Sequence, residues 1–107
     1  MFARVLEFVP KTEKRDDLTR VMKNEILPIL NKQNGFLEMI PFFPENKNEK
    51  ALVISLWTEK RYADTYANEW FSKVQDMVKP HLTTPITVNH YTVETTVCQH
   101  FEKALIA

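Results

Sequence analysis

The sequence predicts an α+β domain of element order βαββαβ, in which two helices cover one face of a four-stranded antiparallel sheet. Three observations carry this. The stretch Ala51-Leu52-Val53-Ile54-Ser55-Leu56-Trp57 holds one polar residue, Ser55, so a strand here has no face suited to water. Directly after it, Tyr62, Ala63, Tyr66, Ala67, Trp70, Phe71, Val74, Met77, Val78 and Leu82 recur on one broad helical stripe. Alternating runs and a second amphipathic stretch flank this pair. A doubly buried strand needs a cover on each side of the sheet. In a chain of 107 residues, the second cover is expected to be another copy of the chain.

Each element has its own reason. Residues 2–9 form the first expected strand, with Phe2, Arg4, Leu6 and Phe8 facing one way and Ala3, Val5, Glu7 and Val9 the other. Pro10 ends it, lacking the N–H that a ladder needs. Arg4 and Glu7 are expected to snorkel to a sheet edge or pair locally, unless they serve a site. Residues 12–33 form the first helix, capped by Thr12, with Leu18, Val21, Met22, Ile26, Ile29 and Leu30 as its apolar stripe. Glu13, Asp16 and Asp17 lie at its positive end. Pro28 removes the bond to the carbonyl of Asn24, which predicts a kink or a break into two segments. Gly35, the only glycine, is expected at positive φ just past the helix.

Residues 36–43 form the second strand, with Phe36, Glu38, Ile40 and Phe42 opposed to Leu37, Met39 and Phe43; Pro41 puts it at the sheet edge. The polar loop 44–50 joins it as a hairpin to the third strand, 51–57. Thr58 is expected to cap the second helix, which Lys79-Pro80 ends. In residues 86–94, Ile86, Val88, His90 and Thr92 alternate with Thr87, Asn89, Tyr91 and Val93 as the fourth strand. Residues 1–95 make one domain of the ferredoxin-like kind. Residues 96–107, with Val97, Phe101, Leu105 and Ile106, form a tail apolar enough to lie across a partner subunit.

Composition excludes several classes of function. Fourteen basic residues balance fourteen acidic ones, so no electrostatic footprint for nucleic acid or an anionic membrane is expected. Cys98 is the only cysteine, which rules out an intrachain disulfide and fits a reducing compartment. Met1-Phe2-Ala3-Arg4 does not open a signal peptide, and no apolar run approaches membrane-spanning length, so a soluble cytoplasmic protein is expected. One glycine cannot build a phosphate loop or a dinucleotide fingerprint, and His81, His90 and His100 lack metal-ligand spacing. No metal site is expected.

The aromatic group Trp57, Tyr62, Tyr66, Trp70 and Phe71 is the feature that bears on chemistry. It serves either as helix-on-sheet core or as the wall of an apolar pocket for a flat aromatic ligand. Arg4, Tyr66, His90 and Asn89 are the candidate groups to orient such a ligand.

The element order, the third strand ending Leu56-Trp57, the helix start two residues on, and Asn68-Glu69-Trp70-Phe71 within that helix resemble the antibiotic biosynthesis monooxygenase family. Leu27-Pro28-Ile29-Leu30 followed by Asn34-Gly35-Phe36 is also similar to that family's helix end and second strand. The resemblance spans residues 2–95 and implies a dimeric α+β barrel, two sheets facing each other in a homodimer. It implies oxygenation of a small aromatic substrate, quinol- or polyphenol-like, without metal, flavin or other cofactor. Many members carry a histidine nine residues after the strand-three tryptophan, where this chain has Tyr66, a residue able to donate a hydrogen bond to a phenolate. Haem-degrading members share an asparagine, a tryptophan and a histidine at the positions of Arg4, Tyr66 and Gln75, so haem degradation is disfavoured. Tyr66, Arg4 and His90 are then the candidate catalytic residues, and Trp70, Trp57, Tyr62, Asn89 and Phe71 the candidate substrate-binding ones. The other reading is a non-catalytic dimeric module of the same fold that binds a small ligand or serves as an interaction domain.

Overall fold

A computed structural model describes residues 1–97. The chain folds as β1 (Phe2–Phe8), α1 (Arg15–Val21), α2 (Leu27–Asn31), β2 (Phe36–Phe42), β3 (Ala51–Trp57), α3 (Lys60–Val78) and β4 (Thr87–Thr92), the expected ferredoxin-like βαββαβ order. The strands are all antiparallel and stand in the order β2-β3-β1-β4. Pro41 therefore lies on an edge strand, as expected. β1 is central, so Arg4 has no sheet edge to reach; it is 4% exposed. The tail expected over residues 96–107 lies, from Cys98 onward, outside the described residues; Thr95–Val97 form a short 3-10 turn.

The first helical segment is interrupted where Pro28 predicts. A 3-10 turn at Thr12–Lys14 leads into α1, a π turn spans Met22–Ile26, and α2 resumes at Leu27 with Pro28 in its first turn. Within the π turn the N–H of Leu27 donates to the carbonyl of Met22, five residues back. A five-residue step passes the carbonyl of Asn24 over the missing N–H of Pro28, which is why the helix swells here instead of breaking. The threonine caps do not form. No side chain caps α1 or α3, and α3 begins two residues after Thr58. Thr58 instead donates its backbone N–H to the carbonyl of Gly35 at 2.8 Å, tying the start of β2 to the end of β3.

Gly35 has φ +76°, as expected for a helix terminus. It has a second, spatial reason to lack a side chain, since a Cβ there would collide with the ring of Tyr62. β2 departs from simple alternation. Its register shifts between Phe36 and Glu38, so Phe36 pairs with Trp57 while Glu38 pairs with Leu56. The extra residue, Leu37, turns Phe36 to the same face as Met39, leaving Glu38, Ile40 and Phe42 on the other.

The sheet thus has two unlike faces. Phe2, Arg4, Leu6 and Phe8 pair across with Trp57, Ser55, Val53 and Ala51, and all face the helices. Leu18, Met22, Ile26, Leu30, Ala63, Tyr66, Val74 and Val78 close over them as one buried core. The opposite face carries Val5, Glu7, Leu52, Ile54, Leu56, Ile40, Phe42, Asn89 and Tyr91 in register, and no helix of the described residues lies across it. No helix among the described residues is long and apolar enough to cross a membrane.

Candidate functional site

Between the helices and the covered face lies a cavity of about 40 Å³. Leu6, Phe8, Val53, Met39 and Ile86 form its floor and edges, and Leu18, Met22, Ile26 and Leu30 wall it from the first helical segment. Phe71, Val74 and Val78 close it from α3. Two of the walls, Met22 and Ile26, come from the π turn, so the Pro28 irregularity shapes the cavity. Three polar side chains also line this otherwise apolar space: Arg4, Ser55 and Tyr66.

Arg4 is the unusual member. Its Nε is buried and has no hydrogen-bond partner among the described residues, a condition shared only with His81 Nδ1, which lies elsewhere beyond the end of α3. No carboxylate of the described residues forms an ion pair with it. Its charge rests on aromatic faces, 4.5 Å from the centre of the Phe71 ring and 5.6 Å from that of Tyr66. Burial pulls its pKa below the usual value, against smaller opposing effects of Tyr66 and Asp64. An arginine starts from so high a value that it stays a cation.

Tyr66 sits on α3 directly over β1, 4% exposed, with its ring 5.4 Å from that of Trp57. Burial pushes its hydroxyl up to about 12, and nearby Arg4 only partly offsets this. At neutral pH it is a hydrogen-bond donor and not a base. Ser55 pairs with Arg4 in the ladder, and its Oγ accepts the Trp57 Nε1–H at 3.0 Å. That bond occupies an oxygen lone pair and leaves the hydroxyl proton able to point into the cavity. The three polar groups are therefore all donors, two neutral and one cationic.

Of the residues singled out from sequence, the fold gathers Arg4, Tyr66 and Phe71 at the cavity, with Trp57 fully enclosed behind Tyr66 and edge-on to Phe36. Tyr62 lies at the start of α3 against Gly35. Trp70 is half-buried beside Lys73, whose Nζ is 5.0 Å from its ring, and does not line the cavity. His90 pairs with Arg4 in register, but its side chain is exposed and packs on Phe2 at 5.5 Å. Asn89 pairs with Val5 and therefore faces away from the helices, on the opposite side of the sheet from Arg4. Ser55 was missing from the candidates. Its signal is plain in hindsight, as the one polar residue in a seven-residue apolar strand.

Fold and site together define an α+β sheet-and-helix scaffold with an interior pocket under its second long helix. The solved structures that share this scaffold include a monooxygenase from Streptomyces coelicolor in complex with nanaomycin D, at TM-score 0.71 and 13% identity, covering 87% of each chain. An antibiotic biosynthesis monooxygenase matches at TM-score 0.69 and 16% identity over 88% of this chain and 99% of that one. A conserved protein from Methanosarcina mazei matches at TM-score 0.70 and 18% identity over 88% of this chain and 94% of that one. The chain has the fold of the antibiotic biosynthesis monooxygenases. No family model matches its sequence, and no curated protein matches it.

Proposed function

We propose that this chain is a cofactor-independent monooxygenase of a small aromatic, quinol-like substrate, acting as a homodimer of facing sheets in the cytoplasm. The observation that carries this reading is the cluster of three donors, Arg4, Tyr66 and Ser55, in a buried apolar cavity. Dioxygen attack on a phenolic ring needs electron density on that ring, and a phenolate supplies it. Preorganised donors in a water-poor site hold such an oxyanion far better than water does. In the balanced reaction the phenol loses its O–H hydrogen and one ring C–H hydrogen, and that ring carbon becomes the second carbonyl of a quinone. One atom of dioxygen enters the product and the other leaves as water, with both hydrogens and all electrons coming from the substrate. Arg4 and Tyr66 hold the oxygen, while Phe71 and the Trp57 ring behind Tyr66 form the aromatic wall. His90, beside Arg4 on β4 but exposed, is the candidate to pass a proton to solvent.

The dimer reading rests on the open face. Val5, Leu52, Ile54, Ile40 and Phe42 form one apolar array across this face and none of them is fully buried, the kind of patch that marks an interaction surface once it passes the ~300–600 Å² of a typical monomer. At roughly 25 cal/mol per Å², covering such a face is worth ~10 kcal/mol before the costs of association.

One observation favours a second reading, a non-catalytic module for a small ligand. The cavity's 40 Å³ compares with the ~10–15 Å³ that one water needs, so it holds a few waters as it stands, and a quinol must push side chains aside to enter. Oxygen uptake with a panel of hydroquinones and naphthols, wild type against Tyr66→Phe, separates the two. The enzyme reading expects substrate-dependent uptake that falls roughly 10²-fold in Tyr66→Phe, the scale of one lost oxyanion donor. Uptake at background with every panel member would leave the binding module.

A further inference from the structure

The covered face holds a cation that the fold does not neutralise. Arg4 is 4% exposed, its Nε has no partner among the described residues, and its guanidinium carbon lies 4.5 Å from the centre of the Phe71 ring and 5.6 Å from that of Tyr66. Left uncompensated, a buried charge is among the costliest features a small domain can carry. Its neighbours cannot compensate it. β3 offers Ser55, β2 offers Met39, and the first helical segment offers only Leu18, Met22, Ile26 and Leu30. From α3 come the protonated Tyr66 and the distant influence of Asp64, and from β4 the exposed His90. None of these groups accepts a proton inside the cavity at neutral pH.

We propose that this cavity is an anion-selective pocket, taking its ligand already ionised, as a phenolate or carboxylate on a compact apolar body. A neutral phenol entering it would find no base to take its proton, could rest that proton only on the hydroxyl oxygens of Tyr66 or Ser55, and would leave the Arg4 charge uncancelled. An oxyanion matches all three donors and also cancels the Arg4 charge. The small volume bounds the apolar body to a short chain or a single ring, and admitting a ring requires Met22 and Met39, the adaptable side chains of the lining, to move. This rests on the same cavity being the ligand site of the proposed function, but it concerns the charge state of the ligand and not its fate.

Two pairs of probes differ mainly in charge: 4-nitrophenol titrated across its visible ionisation, and butyrate against butyramide followed by thermal shift. The phenolate is expected to bind roughly tenfold tighter than the phenol, the scale of a charge-assisted hydrogen bond, so bound 4-nitrophenol should titrate about one unit below the free compound. Butyrate should raise the melting temperature where butyramide does not. Binding of either anion in preference to its neutral partner supports the proposal, and which one binds tells a ring from a chain. Arg4→Met should abolish the preference, whereas Lys23→Gln, which removes an exposed cation from the turn beside the cavity, should leave it in place. Equal binding of charged and neutral forms, binding of neither, or loss of the preference in Lys23→Gln would overturn it.

A stability measurement guards the variant. Replacing an unpaired buried cation by an apolar side chain of similar length is neutral or stabilising, so Arg4→Met should melt at or above the wild type. If it melts as far below the wild type as Arg4→Ala, Arg4 is a structural residue resting on Phe71, and the proposal fails. The oxygen-uptake result leaves these outcomes unchanged, because they read binding and charge alone.

Discussion

The two faces of one sheet use the same strands for opposite ends. On the covered face Trp57, Leu18 and Ala63 are completely enclosed, yet the centre of that face holds Arg4, a charge with no counter-charge among the described residues. On the open face Val5, Ile54 and Ile40 stand side by side across three strands, half-buried, yet none of the helices α1 to α3 lies over them. Each face therefore lacks what the other has in excess. The covered face has enclosure and lacks a charge partner; the open face has apolar surface and lacks enclosure. Both deficits point outward, the first to a small anion and the second to a second copy of the chain.

The largest expected effect comes from spoiling the open face. Ile54→Lys puts a cation in the middle of the Val5–Ile54–Ile40 row, and a twofold interface would bury it twice. Each such unpaired charge costs roughly 3–5 kcal/mol. Sedimentation equilibrium at low micromolar concentration should show a dimer for the wild type and a 12.6 kDa monomer for Ile54→Lys. A wild type that stays a monomer with no concentration dependence would mean the open face is not a subunit interface.

The fold was almost wholly legible in sequence, and the site only in part, for a physical reason. Alternation and helical stripes report which side of an element is apolar, and that suffices for element order, the edge position of β2 and the positive φ of Gly35. They do not report which neighbours an element meets. Arg4 reads from sequence as a charge that escapes to an edge, and only the strand order, which makes β1 central, traps it. Asn89 and His90 are adjacent in sequence and equally plausible there, but strand pairing sends them to opposite faces. The bulge at Leu37 has no signal in the pattern, since Phe36 to Phe42 alternates acceptably in either register. Ser55 stands out as the exception in its strand, but a lone hydroxyl carries no sign of which cavity it will line.

On the covered face, the next effect is one of pH. An unfolded tyrosine gives up its proton near ~10, whereas folded Tyr66 keeps it to about 12. Stability tied to this group is therefore full below pH ~10 and is lost as pH rises towards 12, by roughly 3 kcal/mol in all. Urea unfolding of wild type and Tyr66→Phe at pH 8, 10 and 11.5 should show the wild type losing this extra increment and the variant not. Parallel losses would mean that Tyr66 ionises freely and its hydroxyl is not enclosed. Gly35→Ala follows at ~1–3 kcal/mol, because the alanine must sit at φ +76° and its methyl must displace the Tyr62 ring. A Tyr62→Ala background should recover the clash but not the backbone strain, so a complete recovery would show that the backbone is not strained there.

The smallest effect tests whether the polar centre of the covered face is built or incidental. Among the described residues Ser55 is the acceptor for the indole N–H of Trp57, a side chain with no exposure at all. Ser55→Ala removes the acceptor and leaves that N–H buried without a partner, which costs about 1 kcal/mol or somewhat more. Ser55→Thr keeps an oxygen in place and adds a methyl towards the cavity, so it should retain the stability while reducing the volume open to a ligand. The matching change on the other face, Ile54→Val, removes one methylene from a half-buried position and should cost less in a monomer than in a dimer, where the same position becomes fully enclosed. Measured by denaturant unfolding at two protein concentrations, Ser55→Ala should show the same loss at both. Ile54→Val should show a loss that grows with concentration. If Ser55→Ala proves neutral, Trp57 has another acceptor, and the donor that Ser55 offers to the cavity is not fixed by the indole bond.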